Sequence, residues 1–237
     1  MNVFLLSKDP KLAALLLADV HVIKMILETT QLCTSVWQSR RGHMPRVMKQ
    51  YFSEHPPTEQ QLKMTKNYAK PKKLGKGHMN HPCAIWARHK ASHYIWLCRY
   101  GLALCKRKRE IYPDRPPHCC EIHLQLLHTA GFPGGYVPEL PKEKIATKGI
   151  HPDFDYVALA GPTKYKNAVK AYRYYYAKKF AESMLPKDER EFKMNMLYNK
   201  RRAIPRYLVK HVQRLITKKA RYAKIEDDFK SLPIIQQ

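Results

Sequence analysis

Apolar residues between Asp9 and Trp37 recur at helical spacing, and after Pro10 nothing in the stretch is Gly or Pro. Asp9 followed by Pro10 reads as an N-cap with proline at the first helical position. The pattern predicts one long helix. At about 100° per residue, His21, Lys24, Glu28, Gln31 and Ser35 fall within about 80° of one another. Leu16, Val20, Val22, Ile23, Met25, Ile26, Leu27 and Leu32 fill most of the remaining circumference, which predicts a helix buried on most sides. A polar stripe on a buried helix is costly unless it lines a wet cleft or meets partners. On a surface helix the same stripe would be no more than the solvated face. Glu28, with Lys24 and His21 beside it, is the base-competent set within the stripe.

The rest of the chain reads as more helix joined by basic loops. Asn2–Leu6 is a short apolar run, either a strand or an extended arm. Residues 38–80 carry ten Lys/Arg against Glu54 and Glu59, with a helix expected at Glu59–Tyr68 and a basic Gly-containing loop at 69–82. Asn80-His81-Pro82 then opens a second long helical run, to about Tyr112, on which Arg88, Ser92 and Arg99 share a face. Gly101 inside that run marks close helix packing. A third helix is expected over Pro117–Thr129, ending at Gly131, and Phe132–Pro162 is Pro/Gly-rich loop. Lys164–Ala181 interleaves Tyr165, Tyr172, Tyr174, Tyr175 and Tyr176 with six Lys/Arg. Ile204–Lys224 is a basic amphipathic helix with Leu208, Val212 and Ile216 inward. The expected architecture is mainly α: a compact bundle of long helices over 1–180, with basic loops and a basic helical C-terminal extension over 181–237.

Charge narrows the partner. The 237 residues hold 44 Lys+Arg against 19 Asp+Glu, a net +25 with His neutral. Within 164–224 the ratio is nineteen to four. Such an excess points to a polyanion, nucleic acid before an anionic membrane surface. Cations neutralise phosphates while tyrosine rings stack on unpaired bases. The candidate contacts are Lys72, Lys73, Lys76, His78, Arg88, Arg99, Tyr172, Arg173, Tyr174, Tyr175, Lys178, Lys179, Arg201 and Arg202. The bland counterpart is a core with a solvated basic edge. No apolar run approaches the ~20 residues of a membrane span. Lys8, Asp9, Pro10 and Lys11 interrupt the N-terminal apolar patch, so no signal peptide is expected.

Six cysteines without framework spacing read as reduced thiols of an intracellular protein. His118, Cys119, Cys120 and His123 invite a zinc reading, but adjacent cysteines chelate poorly and no Cys-x-x-Cys pair accompanies them. A packed helix with an exposed His, and no metal or other cofactor, is the expectation. Phosphate-loop, dinucleotide-fingerprint and nucleophile-elbow motifs do not occur.

Ala18–Glu28, ADVHVIKMILE, with Glu28 seven residues after His21, resembles the corresponding helix of the phage-type pyrimidine-dimer DNA glycosylases, often called endonuclease V. Ala171–Lys179, AYRYYYAKK, is similar to that family's C-terminal Trp-Tyr-Lys-Tyr-Tyr run. The opening Met1-Asn2-Val3-Phe4 and the later Asn80-His81-Pro82…Ile85-Trp86 are also similar to an uncharacterised family of bacteriophage and large-DNA-virus proteins, over most of 1–180. The glycosylase resemblance implies an N-terminal amine, on Met1 or Asn2, that attacks the sugar C1′ of a flipped-out damaged nucleotide to form an imine. It implies Glu28 as the acid/base, with His21 and Lys24 beside it. The chain departs from the pattern where Asn2 replaces a small second residue and where first-helix arginines are missing, leaving that part to Lys24 and Arg88. Three functions follow as expectations: a base-excision enzyme on duplex DNA, a non-catalytic genome-packaging or virion component, or an RNA-binding factor. The setting expected is the host cytoplasm or nucleus, or the virion.

Overall fold

The computed structural model describes residues 3–75, 78–134, 150–151, 157–158, 167–184, 204–218 and 234–235. Over these residues the protein is mainly helical. In chain order the helices are α1 (Pro10–Leu16), α2 (Asp19–Arg41), α3 (Arg46–Glu54), α4 (Glu59–Met64), α5 (Pro82–His89), α6 (Ala91–Ile111), α7 (Glu121–Ala130), α8 (Ala168–Met184) and α9 (Arg206–Lys218). Two-residue strands form an antiparallel pair, β1 (Ile150–His151) with β2 (Val157–Ala158), and a parallel pair, β3 (Ile204–Pro205) with β4 (Ile234–Ile235).

Asp9 caps α1 as its sequence predicts, accepting the Lys11 and Leu12 amides, with Pro10 in the first turn. The single helix expected from Asp9 to Trp37 is two helices, however. Leu17 and Ala18 take extended backbone, with ψ near 141° and 142°. Leu16, Leu17, Ala18 and Asp19 are all buried. Four consecutive positions cover most of a helical circumference, so an unbroken helix against one neighbour could not bury them all. Remote side chains satisfy the groups the break releases: Ala18 N–H donates to Tyr176 Oη at 2.9 Å, and Tyr207 Oη donates to Leu16 O at 3.2 Å.

The second long run also divides, at Lys90. His93 Nδ1 donates to Trp86 O at 2.7 Å, its ring stacked on the Trp86 indole at 4.5 Å, and Arg40 Nε donates to Arg88 O. Arg88 therefore does not share a helix with Ser92 and Arg99. α3, which the polar texture of 38–80 hides, packs through Met48 and is seated against α7. α4 stops at Met64, four residues short of the expectation, and α7 begins at Glu121.

The core is centred on α2 and α6. Tyr94 of α6 joins three helices: its hydroxyl donates to Leu127 O of α7 at 2.7 Å and accepts from Trp37 Nε1 of α2 at 3.0 Å. Leu208 and Val209 of α9 belong to the same hydrophobic cluster, and α9 packs on α8. Residue 180 thus lies inside α8, and the helix beyond it shares the core. The side chains of Val212 and Ile216 lie outside the described set.

Gly101 is where α6 meets its neighbours most closely. A Cβ there would come within 2.8 Å of both Leu124 methyls and 3.0 Å of Thr29 Cγ2. Gly101→Ala would gain about 1 kcal/mol of helix propensity. Overpacking costs typically ~1–3 kcal/mol, so a net loss of stability is expected. Urea unfolding of the variant checks this, and a higher midpoint would mean that Leu124 yields freely.

Candidate active site

The N-terminal arm organises the site. Val3, Phe4, Leu5 and Leu6 are buried without regular secondary structure. A backbone hydrogen bond joins Val3 to the Cys83 thiol on α5. Phe4 packs edge-on against Tyr176 of α8, ring centroids 5.1 Å apart, and lies 6.2 Å from the His21 ring of α2. Arg173 Nε donates to Leu6 O at 2.8 Å. The arm is therefore held by α2, α5 and α8 together.

Glu28 lies two helical turns after His21 on α2. Its side chain keeps 15% of its exposure, while its partner Lys24, 3.6 Å away, keeps 73%. Glu28 acts electrostatically on His81, Cys83 and Tyr100. Burial pushes the Cys83 thiol up to about 11, and Glu28 adds to the rise. Burial, then Glu28, also raises the Tyr100 phenol. Burial lowers the His81 imidazole, with Glu28 opposing, so the ring favours its neutral form. As N-cap of α5, His81 accepts the Cys83 amide at Nδ1 (3.2 Å), which leaves the neutral ring's proton on Nε2. The hydroxyls of Tyr100 and Tyr172 are buried without a hydrogen-bond partner among the described residues. Unmet buried polar groups are uncommon in cores.

His21 is fixed rather than free. Its Nδ1 lies 2.7 Å from Tyr176 Oη, which already accepts the Ala18 amide. This hydrogen bond holds the ring through Nδ1.

The polar stripe itself is only partly open. Ser35 is buried and donates to Leu32 O, and Gln31 is half-buried. Val20 and Leu27, expected inside, are 48% and 39% exposed. Helical period alone located the stripe but not the boundary between cleft and solvent. His81, Cys83 and Tyr100 were not singled out as site residues. The available signal was Asn80-His81-Pro82, whose proline starts α5 and whose histidine caps it.

The basic and aromatic candidates divide into struts and surface groups. Tyr172 is fully buried, so it is a core residue and not a base-stacking platform. Arg173 is committed to Leu6, and Arg88 donates through Nη1 to Met79 O, bracing the turn before His81. Tyr175 is half-buried, and Tyr174 is exposed beside the His211 ring, centroids 5.5 Å apart. Lys72 is half-buried with Nζ donating to Asn67 O. Lys73, His78, Arg99 and Lys178 are exposed. His78 is near enough for its charge to lower His81, which brings the basic loop to the edge of the site. Met1, Asn2, Lys76, Arg201 and Arg202, and the side chain of Lys179, lie outside the described residues.

A second cluster lies where α7 begins. Ligand atoms of His118, Cys119 and Cys120 fall within 4.8 Å of one another, a grouping that could hold a metal ion. Hydrogen bonds from Cys120 and His118 hold the Cys119 thiol well below its ordinary range, and sharing that proton raises Cys120. All six cysteines are free thiols. Among the described residues no helix is long and apolar enough to cross a membrane.

No family model, curated protein or solved structure matches this chain.

Two outcomes are expected. Tyr176→Phe strands the buried Ala18 amide and should cost ~1–3 kcal/mol in urea unfolding, with faster hydrogen exchange at Ala18. Cys119 should react with iodoacetamide at a rate nearly flat from about pH 6 to 8, because the thiolate is populated throughout. An ordinary thiol of pKa about 8.5 would gain close to tenfold per pH unit.

Proposed function

We propose that the chain is a DNA-processing enzyme of the base-excision type, acting on duplex DNA with Glu28 as its acid/base. The observation that carries this reading is the buried arm at Val3–Leu6 packed beside α2, where Phe4 lies 6.2 Å from the His21 ring, two helical turns before Glu28. Under this reading the nucleophile is an α-amine on Met1 or Asn2, next to Val3 in the sequence. An α-amine has a pKa near 8 and is partly neutral at physiological pH.

The amine attacks C1′ of the damaged nucleotide and the C1′–N glycosidic bond breaks, with Glu28 relaying a proton from the attacking nitrogen to the leaving base. The C1′–O4′ bond then opens, O4′ taking the second proton of that nitrogen, and an imine forms at C1′. The imine makes the C2′ proton acidic, the Glu28 carboxylate removes it, and the 3′ phosphate leaves by β-elimination. The open i,i+4 pair with Lys24 contributes only ~0.3–0.5 kcal/mol to stability, which suits an ammonium kept available for a backbone phosphate. Lys73 and His78 would meet the strand beside the site. The net +25 supports a polyanionic partner under this reading.

Strand nicking and DNA affinity, measured on the same duplex, test the proposal. Glu28→Gln should lower nicking of lesion-bearing duplex by about 10²–10⁴-fold and leave affinity unchanged. Wild-type protein that binds tightly, with a steep salt dependence, yet nicks neither irradiated nor abasic duplex would favour the packaging reading instead.

A further inference from the structure

We propose that Cys119 and Cys120, at the start of α7, form a peroxide-reactive dithiol that closes reversibly to a disulfide. Of the six free thiols five are buried, so Cys119 is the one that solvent reaches. Its neighbour Cys120 has no exposed surface. The two sulfurs and a ring nitrogen of His118 lie within 4.8 Å of one another. Cys119 is hydrogen-bonded to the Cys120 thiol and to His118. An accessible sulfur held this way, beside a second thiol shielded from solvent, is the arrangement of a reactive cysteine with its resolving partner.

The fold supplies its own comparison. Cys98 Sγ lies 3.6 Å from Cys33 Sγ, between α6 and α2, but both residues are fully buried. Sulfur proximity is common to the two pairs, and access belongs to Cys119 alone. The Lys72 charge acts on both Cys119 and Cys120 in favour of the thiolate, the form that attacks a peroxide. A metal ion is the other use of such a cluster. His118 Nδ1, however, already accepts the Cys120 amide at 3.1 Å, and adjacent cysteines make a poor tetrahedral chelate. The dithiol chemistry uses the same sulfurs without asking His118 to coordinate.

The substrate class is a hydroperoxide. The Cys119 sulfur attacks one of its oxygens: an S–O bond forms and the O–O bond breaks. The departing oxygen takes the proton that Cys119 gave up and leaves as water or an alcohol. Cys120, giving up its own proton, then attacks the Cys119 sulfur. The S–S bond forms, the S–O bond breaks, and the hydroxyl leaves with that proton as water. Two thiols lose two electrons in all, and one hydroperoxide gains them. Consecutive Cα atoms are about 3.8 Å apart, closer than the ~4.4–6.8 Å usual for disulfides. The closed ring is therefore strained, and a dithiol reductant reopens it.

Hydrogen peroxide added to the reduced full chain, with dimedone present to capture sulfenic acid, tests the site by intact mass and peptide mapping. The wild type should lose two hydrogens, mapped to Cys119 and Cys120, and regain them with dithiothreitol. Cys119→Ser, at a part-exposed position, should slow oxidation by about tenfold or more. Cys120→Ala removes the resolving thiol, so dimedone should label Cys119 in place of disulfide formation. The wild-type mapping stands without either variant. A chelator should leave the wild-type rate unchanged. The proposal is overturned by a disulfide mapped elsewhere, or by a wild-type rate in Cys119→Ser. Dimedone capture in the wild type with no disulfide, or reactivity that appears only with the chelator, would overturn it too.

Discussion

The Tyr176 hydroxyl holds together the part of the molecule on which the site depends. It accepts the amide that the α1–α2 break sets free at Ala18, and it meets His21 Nδ1 one turn further along. The same ring packs edge-on against Phe4 and so pins the N-terminal arm. Tyr207 completes the arrangement from α9 by closing the other side of the break, at Leu16 O. Without these two tyrosines the break would leave unmet backbone groups in the core, where each carries a penalty of ~1–3 kcal/mol. The break allows α1 to lie on α6 while α2 turns its Glu28 edge toward α5.

Local signals in the sequence were dependable where the interaction itself is local. Asp9-Pro10 marks the start of α1 because cap and proline act within one turn. Gly101 marks the tightest packing on α6 because any Cβ there meets Leu124 and Thr29. The breaks at Leu17–Ala18 and at Lys90 were not legible. Their stabilising partners, Tyr176, Tyr207, His93 and Arg40, include groups far along the chain, and helix propensity on each side of the break is good. The tyrosine run shows the same limit. Its composition suits nucleic acid, yet helical packing sends Tyr172 and Tyr176 into the core and leaves Tyr174 outside.

The candidate site was half legible. The period of α2 singles out Glu28 as a candidate, because the residue's own helix defines its face. His81, Cys83 and Tyr100 come from α5 and α6, and only the tertiary fold brings them under the influence of the Glu28 carboxylate. Arg88 and Arg173 looked like phosphate contacts but brace the turn at Met79 and the arm at Leu6. A half-buried guanidinium bonded to a backbone carbonyl serves the fold first, and sequence cannot separate that role from phosphate binding. Among the described cationic candidates, Lys73, His78, Arg99 and Lys178 are exposed.

Borohydride trapping on abasic duplex DNA tests the central claim most directly. An imine between an α-amine at the start of the chain and sugar C1′ would be reduced to a stable covalent adduct, lost when that amine is blocked. That result is predicted. Tight DNA binding with no adduct, or an adduct that survives blocking of the amine, would contradict the account of Glu28 and the N-terminal arm as one catalytic unit.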